Sequence, residues 1–314
     1  MPNFCHQTKR SLKQITGFLL SYSKNTDKRV FILSALFLSF GVYSNYSFGL
    51  YHFINTLSES YRFLSWSFVF IIAFTVPYFL YESFHHKGHF KDPGFILLLL
   101  LATGIFAWKM SFNNHLNFSS DKMMNKFWNQ VAYWPLKLII VTGLLYFIHI
   151  LFNKNEPFYG VQLNNFKVKP YFIMLLIMLP LVALASFQHD FLLMYPKLKN
   201  ISFLNHYNSN GGYKLLYELS YGSDFFTIEL FFRGFLVLAF AKWWDEEAIL
   251  PMACFYCTIH FGKPLAECIS SFFGGIILGI ISCNTRTIMG GLMVHLGIAW
   301  MMELGGYLGN MLNH

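Results

Sequence analysis

The sequence predicts an all-α membrane protein, a polytopic helical bundle with about eight or nine transmembrane helices. Composition is the first observation behind this prediction. Of the 314 residues, 55% are hydrophobic and only 12% are charged, which is about half the charged share of a soluble globular domain. Run length is the second observation. Apolar runs of roughly 18 residues or more recur along the chain, and such runs are long enough to cross a hydrocarbon core about 30 Å thick.

Nine segments of the chain are candidate spans. They are residues 30–50, 63–81, 94–110, 131–152, 171–188, 213–243, 248–262, 264–283 and 287–304. We expect three parts: a basic cytoplasmic N-terminal segment at 1–29, N-terminal transmembrane helices at 30–152, and a transmembrane core at 153–314 that carries the more specific polar residues. Within the core, residues 271, 275, 279 and 283 are Ser, Gly, Gly and Cys. This small-residue face predicts close packing against another helix.

The positive charge of the chain is distributed as membrane topology requires. With a cytoplasmic N-terminus, the predicted cytoplasmic segments hold thirteen Lys and Arg residues and the opposite loops hold six. This bias predicts a multi-pass integral membrane protein whose N-terminus is cytoplasmic. The net charge of +8 is therefore interpreted as a topology signal, with the lipid bilayer as the partner of the basic segment. No nucleic-acid partner is expected, because no folded domain with a basic face is present.

An acid and a base lie one turn apart in an otherwise apolar stretch. The segment TIELFFRGF (227–235) contains Glu229 and Arg233, and the spacing places both on one helix face. Arg stays charged in proteins, so at membrane depth it needs an anionic partner, which Glu229 can supply. Because ionisable residues are costly inside a membrane, their presence predicts a functional site.

Two histidines on later spans can join this pair. His260 lies near the end of one predicted span and His295 lies in the last one. Glu229, His260 and His295 could bind a divalent metal such as zinc. Alternatively, without any cofactor, Glu229 could act as a general base on water, with one His sharing the proton and the other stabilising an oxyanion. A purely structural alternative also exists, in which Glu229 and Arg233 lock helix packing and the His residues bond to backbone carbonyls.

The order of these motifs resembles a known family. ELFFRG is followed by HFGKPLAE, by SSFFGGIILG and by RTIMGGLMVH, a series similar to that of the CPBP intramembrane endopeptidases. This is the CAAX-protease and bacteriocin-processing family, which includes the type II CAAX prenyl endopeptidases. The resemblance covers roughly residues 160–304. It implies that Glu229, Arg233, His260 and His295 form a catalytic site, with Arg233 orienting the carboxylate.

Three positions depart from the family pattern. The family has a first Glu, held to be its main water-activating base, where this chain has Ile228, and it has Asn or Asp where this chain has Ala299. Tyr256 stands where the family has Phe. Asp224 lies four residues before Ile228 and hence on the same helix face, so it could support the site in place of the lost Glu. The other interpretations are that Glu229 itself is the base and that Asp224 is a helix N-terminal residue favoured by the macrodipole.

Two functions from different classes therefore remain open. One is an intramembrane endopeptidase, of glutamic or metallo type, that hydrolyses membrane-associated protein or peptide substrates. The other is a catalytically degenerate protein of the same fold that acts in peptide binding, bacteriocin immunity or regulation. Buried Glu, His and Arg also relay protons in transporters, but the chain shows neither an inverted repeat nor paired broken helices.

Overall fold

The computed structural model describes residues 3–163, 166–207 and 211–312, so the predicted segments 1–29 and 153–314 each include residues outside this description. Within the described ranges the protein is helical and has no β-strand, which confirms the predicted fold class. The α-helices are α1 (Asn3–Asn25), α2 (Lys28–Phe48), α3 (Leu50–Thr56), α4 (Glu59–His85), α5 (Pro93–Ser111), α6 (Lys122–Phe152), α7 (Val168–Ala185), α8 (His189–Met194), α9 (Gly211–Glu229), α10 (Ala241–Trp244), α11 (Ile249–Thr258), α12 (Leu265–Thr285) and α13 (Met289–Leu312).

Several non-α segments connect these helices. A π-helix, Leu230–Ala239, continues directly from α9. The 3₁₀ helices are His89–Lys91, Phe158–Gly160, Lys197–Tyr207 and Asp245–Ala248.

Aspartate caps determine where three of the long helices begin. The side chain of Asp27 accepts a hydrogen bond from the backbone N–H of Arg29 at the start of α2. Asp92 caps α5 in the same way, and Asp121 caps α6. Each cap satisfies backbone donors that have no partner inside the helix. The capped ends are thus polar boundaries of apolar helices.

Six helices of the described chain are long and apolar enough to cross a membrane: α2, α4, α5, α6, α7 and α12. They coincide with six of the nine predicted spans, and the chain is an integral membrane protein. The other three predicted spans correspond to α9 with the π-helix, α11 and α13. Helix α9 is too polar to qualify by composition, since it contains Lys214, Glu218, Asp224 and Glu229, and α11 has only ten residues.

The elements that carry the polar motifs form the interior of the bundle. All ten residues of α11 are buried, as are nine of the ten residues of the π-helix. In contrast, only 17% of the most apolar window of α7 is buried, so α7 lies at the periphery. Aromatic rings fill the space around the interior elements: the Phe106 ring centroid lies 4.9 Å from that of Phe231 and 5.0 Å from that of Phe232.

The small-residue face of α12 packs against α11. A Cβ atom at Gly275 would lie 3.2 Å from a ring carbon of Tyr256 and 3.4 Å from the backbone of Ala253. The missing side chain therefore lets the two helices approach closely. This contact holds α11, and with it Tyr256, against the centre of the bundle.

Candidate functional site

The π-helix begins directly after Glu229 and contains Arg233. A π-helix has i→i+5 hydrogen bonds and is rare outside functional sites. Because the π-helix begins between Glu229 and Arg233, the backbone hydrogen-bond pattern changes from that of an α-helix to that of a π-helix between these two residues. Both side chains are completely buried, with Glu229 and Arg233 each 0% exposed.

The carboxylate of Glu229 is held through one of its two oxygens. Arg233 Nη1 lies 3.2 Å from Glu229 Oε1, and His295 Nδ1 lies 2.9 Å from the same atom. The other oxygen, Oε2, is buried and has no hydrogen-bond partner among the described residues. Gly291 makes room for it, because a Cβ atom there would lie 2.3 Å from Oε2. Oε2 is thus packed against the backbone of α13 and is not paired with a donor of the described chain.

Tyr256 connects the remaining groups. Its hydroxyl lies 3.2 Å from His295 Nε2, and the Cζ of Arg233 lies 4.1 Å from its ring centroid. Since His295 Nδ1–H donates to the Glu229 carboxylate, Nε2 of a neutral imidazole accepts the proton of the Tyr256 hydroxyl. A Phe at this position would supply the ring without this hydrogen bond. Sequence reasoning treated Tyr256 as a minor substitution, and only the structure reveals the partner of its hydroxyl.

His260 reaches the same group of residues through Tyr256. Its Nδ1–H donates to the backbone carbonyl of Tyr256 at 2.9 Å, and the two rings meet edge to face at a centroid distance of 4.7 Å. His260 has no hydrogen bond to Glu229 among those of the described residues. The structure therefore brings Glu229, Arg233 and His295 into direct contact and places His260 beside them, on the other side of Tyr256.

Asp224 contacts a lysine and not the site residues that a substitute base would contact. It forms an ion pair with Lys109 of α5, whose Nζ lies 2.8 Å from Asp224 Oδ1. Lys109 is itself buried. The structure shows no contact between Asp224 and Glu229, His260 or His295 in the described chain. Asp224 thus acts as a counter-ion for a buried ammonium group of a neighbouring helix.

The two apolar replacements pack as ordinary core residues. Ile228 belongs to the main hydrophobic core, and Ala299 packs with Tyr221 and Phe225. Among the described residues, no other carboxylate or amide side chain contacts Glu229 in place of the two that Ile228 and Ala299 replace. The acid–base chemistry available at this centre is therefore that of Glu229 and the two histidines.

A second polar group lies next to His260. Lys263 Nζ donates to the hydroxyl of Tyr195 at 2.7 Å and lies 3.2 Å from Glu267 Oε1, while the Tyr195 hydroxyl donates to the same carboxylate at 3.0 Å. These contacts join the loop after α8 to the start of α12. They stabilise the turn that carries His260.

The described side chains do not fit a metal-ion site. No group of three His, Cys, Asp or Glu residues within them is arranged to hold a metal ion. His295 Nδ1 is bonded to Glu229, and His260 Nδ1 is bonded to a backbone carbonyl. Within the described residues, the expected set of Glu229, His260 and His295 is therefore not gathered as metal ligands.

Fold and site together define a polytopic helical membrane protein with a buried Glu–Arg–His centre. Residues 223–301 match the family model described as type II CAAX prenyl endopeptidase Rce1-like. This match covers about a quarter of the chain and confirms the family resemblance seen in the motifs. The matched segment runs from the second half of α9 into α13 and contains all five predicted site residues. No curated protein and no solved structure matches the chain significantly.

Proposed function

We propose that the protein is an intramembrane endopeptidase in which Glu229 activates water. One observation carries the proposal: a fully buried carboxylate is held by Arg233 and His295 through Oε1, while Oε2 is buried without a partner. Arg233 orients the carboxylate and balances its charge. A preorganised, water-excluding environment makes such a group an effective base.

In the proposed reaction, Glu229 Oε2 takes a proton from a water molecule while the water oxygen forms a bond to the carbonyl carbon of the substrate. A neutral His260, whose Nδ1–H donates to the Tyr256 carbonyl, accepts the second hydrogen of the attacking water at Nε2. The C–N bond then breaks, and the proton on Glu229 passes to the leaving amine nitrogen. His295 keeps the carboxylate in place through Nδ1, and Tyr256 holds the other ring nitrogen of His295.

The substrate class follows from the location of the site. The centre lies within a bundle of membrane-spanning helices, so its substrates are expected to be peptides that are themselves associated with the membrane. The matching family model names prenylated CAAX substrates, and we propose a membrane-associated protein or peptide of this type as the substrate.

A second candidate function is a non-catalytic protein of the same fold that binds a peptide or regulates a partner. The observation that favours it is the engagement of Asp224 with Lys109, which leaves Ile228 without a replacement carboxylate. Immunity towards a bacteriocin belongs to this second class.

A cleavage assay in lipid nanodiscs tests the proposal. The probes are a fluorogenic farnesylated peptide with a CAAX terminus, its unprenylated counterpart and an unrelated peptide with a lipid anchor. The wild type is compared with Glu229→Gln and His260→Ala, with and without a chelator. Cleavage that both substitutions abolish and the chelator leaves unchanged supports a glutamate peptidase. Chelator-sensitive cleavage supports a metal, and equal cleavage by wild type and Glu229→Gln contradicts the proposed role of Glu229.

A further inference from the structure

The turn that carries His260 connects two helices of the bundle. Helix α11 ends at Thr258 and α12 begins at Leu265, so His260 stands in the six-residue connection 259–264. Backbone carbonyls at and beyond the end of a helix lack an intrahelical partner, and the buried ones need another donor. The position of His260 therefore depends on which groups supply these donors.

Helix α2 supplies two of the donors. Asn45 Nδ2 donates to the backbone carbonyl of Phe261 at 2.8 Å, and the Tyr46 hydroxyl donates to the backbone carbonyl of Lys263 at 2.6 Å. The first carbonyl belongs to the residue directly after His260, and the second lies two residues further on. Helix α2 thus holds the backbone of the turn at two points.

The side chain of Asn45 is itself fixed by a second contact. Asn45 is only 3% exposed, and its Oδ1 accepts a hydrogen bond from the backbone N–H of Tyr51 at 3.0 Å. The Tyr51 ring packs against the turn, because a Cβ atom at Gly262 would lie 2.3 Å from the ring carbon Cζ. The donor and the acceptor of one amide group therefore join α2, α3 and the turn.

The backbone of the turn in turn fixes the His260 ring. His260 Nδ1–H donates to the Tyr256 carbonyl at 2.9 Å, and the backbone N–H of Lys263 donates to the His260 carbonyl at 2.9 Å. Because Phe261 is the next residue in the chain, a movement of its carbonyl also moves His260. In the proposed reaction the His260 Nε2 atom accepts a hydrogen of the attacking water, so the reaction depends on where the turn places this atom.

We propose that Asn45 is a positioning residue of the enzyme, which places His260 by holding the turn backbone at Phe261. Tyr46 assists it at Lys263. The inference rests on the proposed function and adds to it a helix that lies outside the matched segment 223–301. Misplacing a catalytic group by about 1 Å can lower a rate about 10²-fold, even when the substituted residue is remote from the chemistry.

Solid-state NMR of ¹⁵N-histidine-labelled protein in lipid bilayers tests the placement of His260 without requiring cleavage. The imidazole signals of His260 and His295 are assigned from their loss in the two alanine variants. Asn45→Leu keeps the side-chain volume and removes the amide, so we expect the His260 signals to shift or broaden while those of His295 stay. The matched control is Asn114→Leu, which removes an amide donor 2.9 Å from the Asn129 carbonyl, and we expect it to leave both sets of signals unchanged.

Cleavage kinetics provide a second readout. Asn45→Leu leaves the substrate contacts intact, so we expect kcat to fall about 10- to 100-fold while KM changes less than about twofold. Tyr46→Phe removes one hydrogen bond from a partly exposed residue, and we expect kcat to fall about fivefold. The control for this milder variant is Tyr43→Phe, at an exposed tyrosine of the same helix, for which we expect no change.

Each result decides the proposal. Movement of the His260 signals alone in Asn45→Leu, together with the selective fall in kcat, supports it. Unchanged His260 signals in a folded Asn45→Leu variant overturn it. Equal movement of the His260 and His295 signals also overturns it, because that pattern reports a general loosening of the bundle.

Two further results separate this proposal from folding and from the proposed function. If Asn45→Leu does not fold, the comparison of Tyr46→Phe with Tyr43→Phe decides, and equal kcat and equal His260 signals in these two variants overturn the proposal. If the wild type cleaves none of the probes, the proposed function fails. The NMR comparison then still decides whether α2 places His260.

Discussion

Two carboxylates on α9 differ in what surrounds them. Glu229 is 0% exposed and shares one oxygen with Arg233 and His295, whereas the Asp224 side chain is 19% exposed and forms an ion pair with Lys109. The two residues are five positions apart, about one and a half helical turns, so they face different neighbours. Their different positions on the helix therefore place Glu229 in a centre suited to proton transfer and Asp224 in a simple ion pair.

The comparison also explains how the site can work without a second glutamate. Asp224 is committed to a buried ammonium group, so it is not available to the histidines. Glu229 has one oxygen, Oε2, without a partner among the described residues, and its other oxygen contacts His295. In the proposed mechanism Glu229 is therefore the group left to act as the base.

The largest expected effect comes from Glu229→Gln. The substitution keeps the volume and removes the proton acceptor, so we expect cleavage to fall by about 10²–10⁴-fold, as for loss of a general base. Single-turnover cleavage of the farnesylated probe measures it, and the melting temperature controls for folding. Retained cleavage in a folded variant would mean that Glu229 is a structural partner of Arg233.

Arg233→Met leaves Glu229 buried without its cation. Removing one partner of a buried pair costs about 3–5 kcal/mol of stability, and denaturation from mixed micelles measures this loss. The double variant Glu229→Gln, Arg233→Met serves as the control, because it removes both charges. We expect the double variant to be more stable than Arg233→Met. A double variant no more stable than the single one would show that the two side chains do not depend on each other.

Asp224→Asn tests the other member of the comparison. It leaves Lys109 without its carboxylate, so we expect a loss of about 1–3 kcal/mol of stability and a change in cleavage below tenfold. Lys109→Met added to Asp224→Asn should recover part of the stability, as a double-mutant cycle measures. If Asp224→Asn abolishes cleavage while the protein stays folded, Asp224 is part of the catalytic machinery.

Tyr256→Phe is expected to have the smallest effect. It removes the hydrogen bond to His295 Nε2, worth about 0.5–1.5 kcal/mol, while Glu229 still holds the other ring nitrogen. We expect a decrease in kcat of less than tenfold with KM nearly unchanged, because the His295 imidazole loses one of its two hydrogen bonds; cleavage kinetics with the farnesylated probe measure it. An unchanged kcat would indicate that the hydroxyl contributes packing only.

Sequence alone predicts the bundle and the order of its polar motifs, because apolar run length and i, i+4 spacing are local properties. The pairing of Glu229 with Arg233 is also predictable from sequence, because the two residues are four positions apart on one helix face. It does not predict the contact between Asp224 and Lys109, which are far apart in the chain and meet only through packing of α5 against α9. The role of the Tyr256 hydroxyl and the space at Gly291 are equally non-local. The π-helix after Glu229 has no clear sequence signal.

The most direct test of the central claim compares Glu229→Gln with Asp224→Asn in one cleavage assay. Both variants replace a carboxylate on the same helix by its amide, so they are matched in chemistry and differ only in position. We predict that the rate with Glu229→Gln falls by at least about 10² relative to Asp224→Asn. Equal rates, or a greater loss with Asp224→Asn, would contradict the assignment of Glu229 as the base.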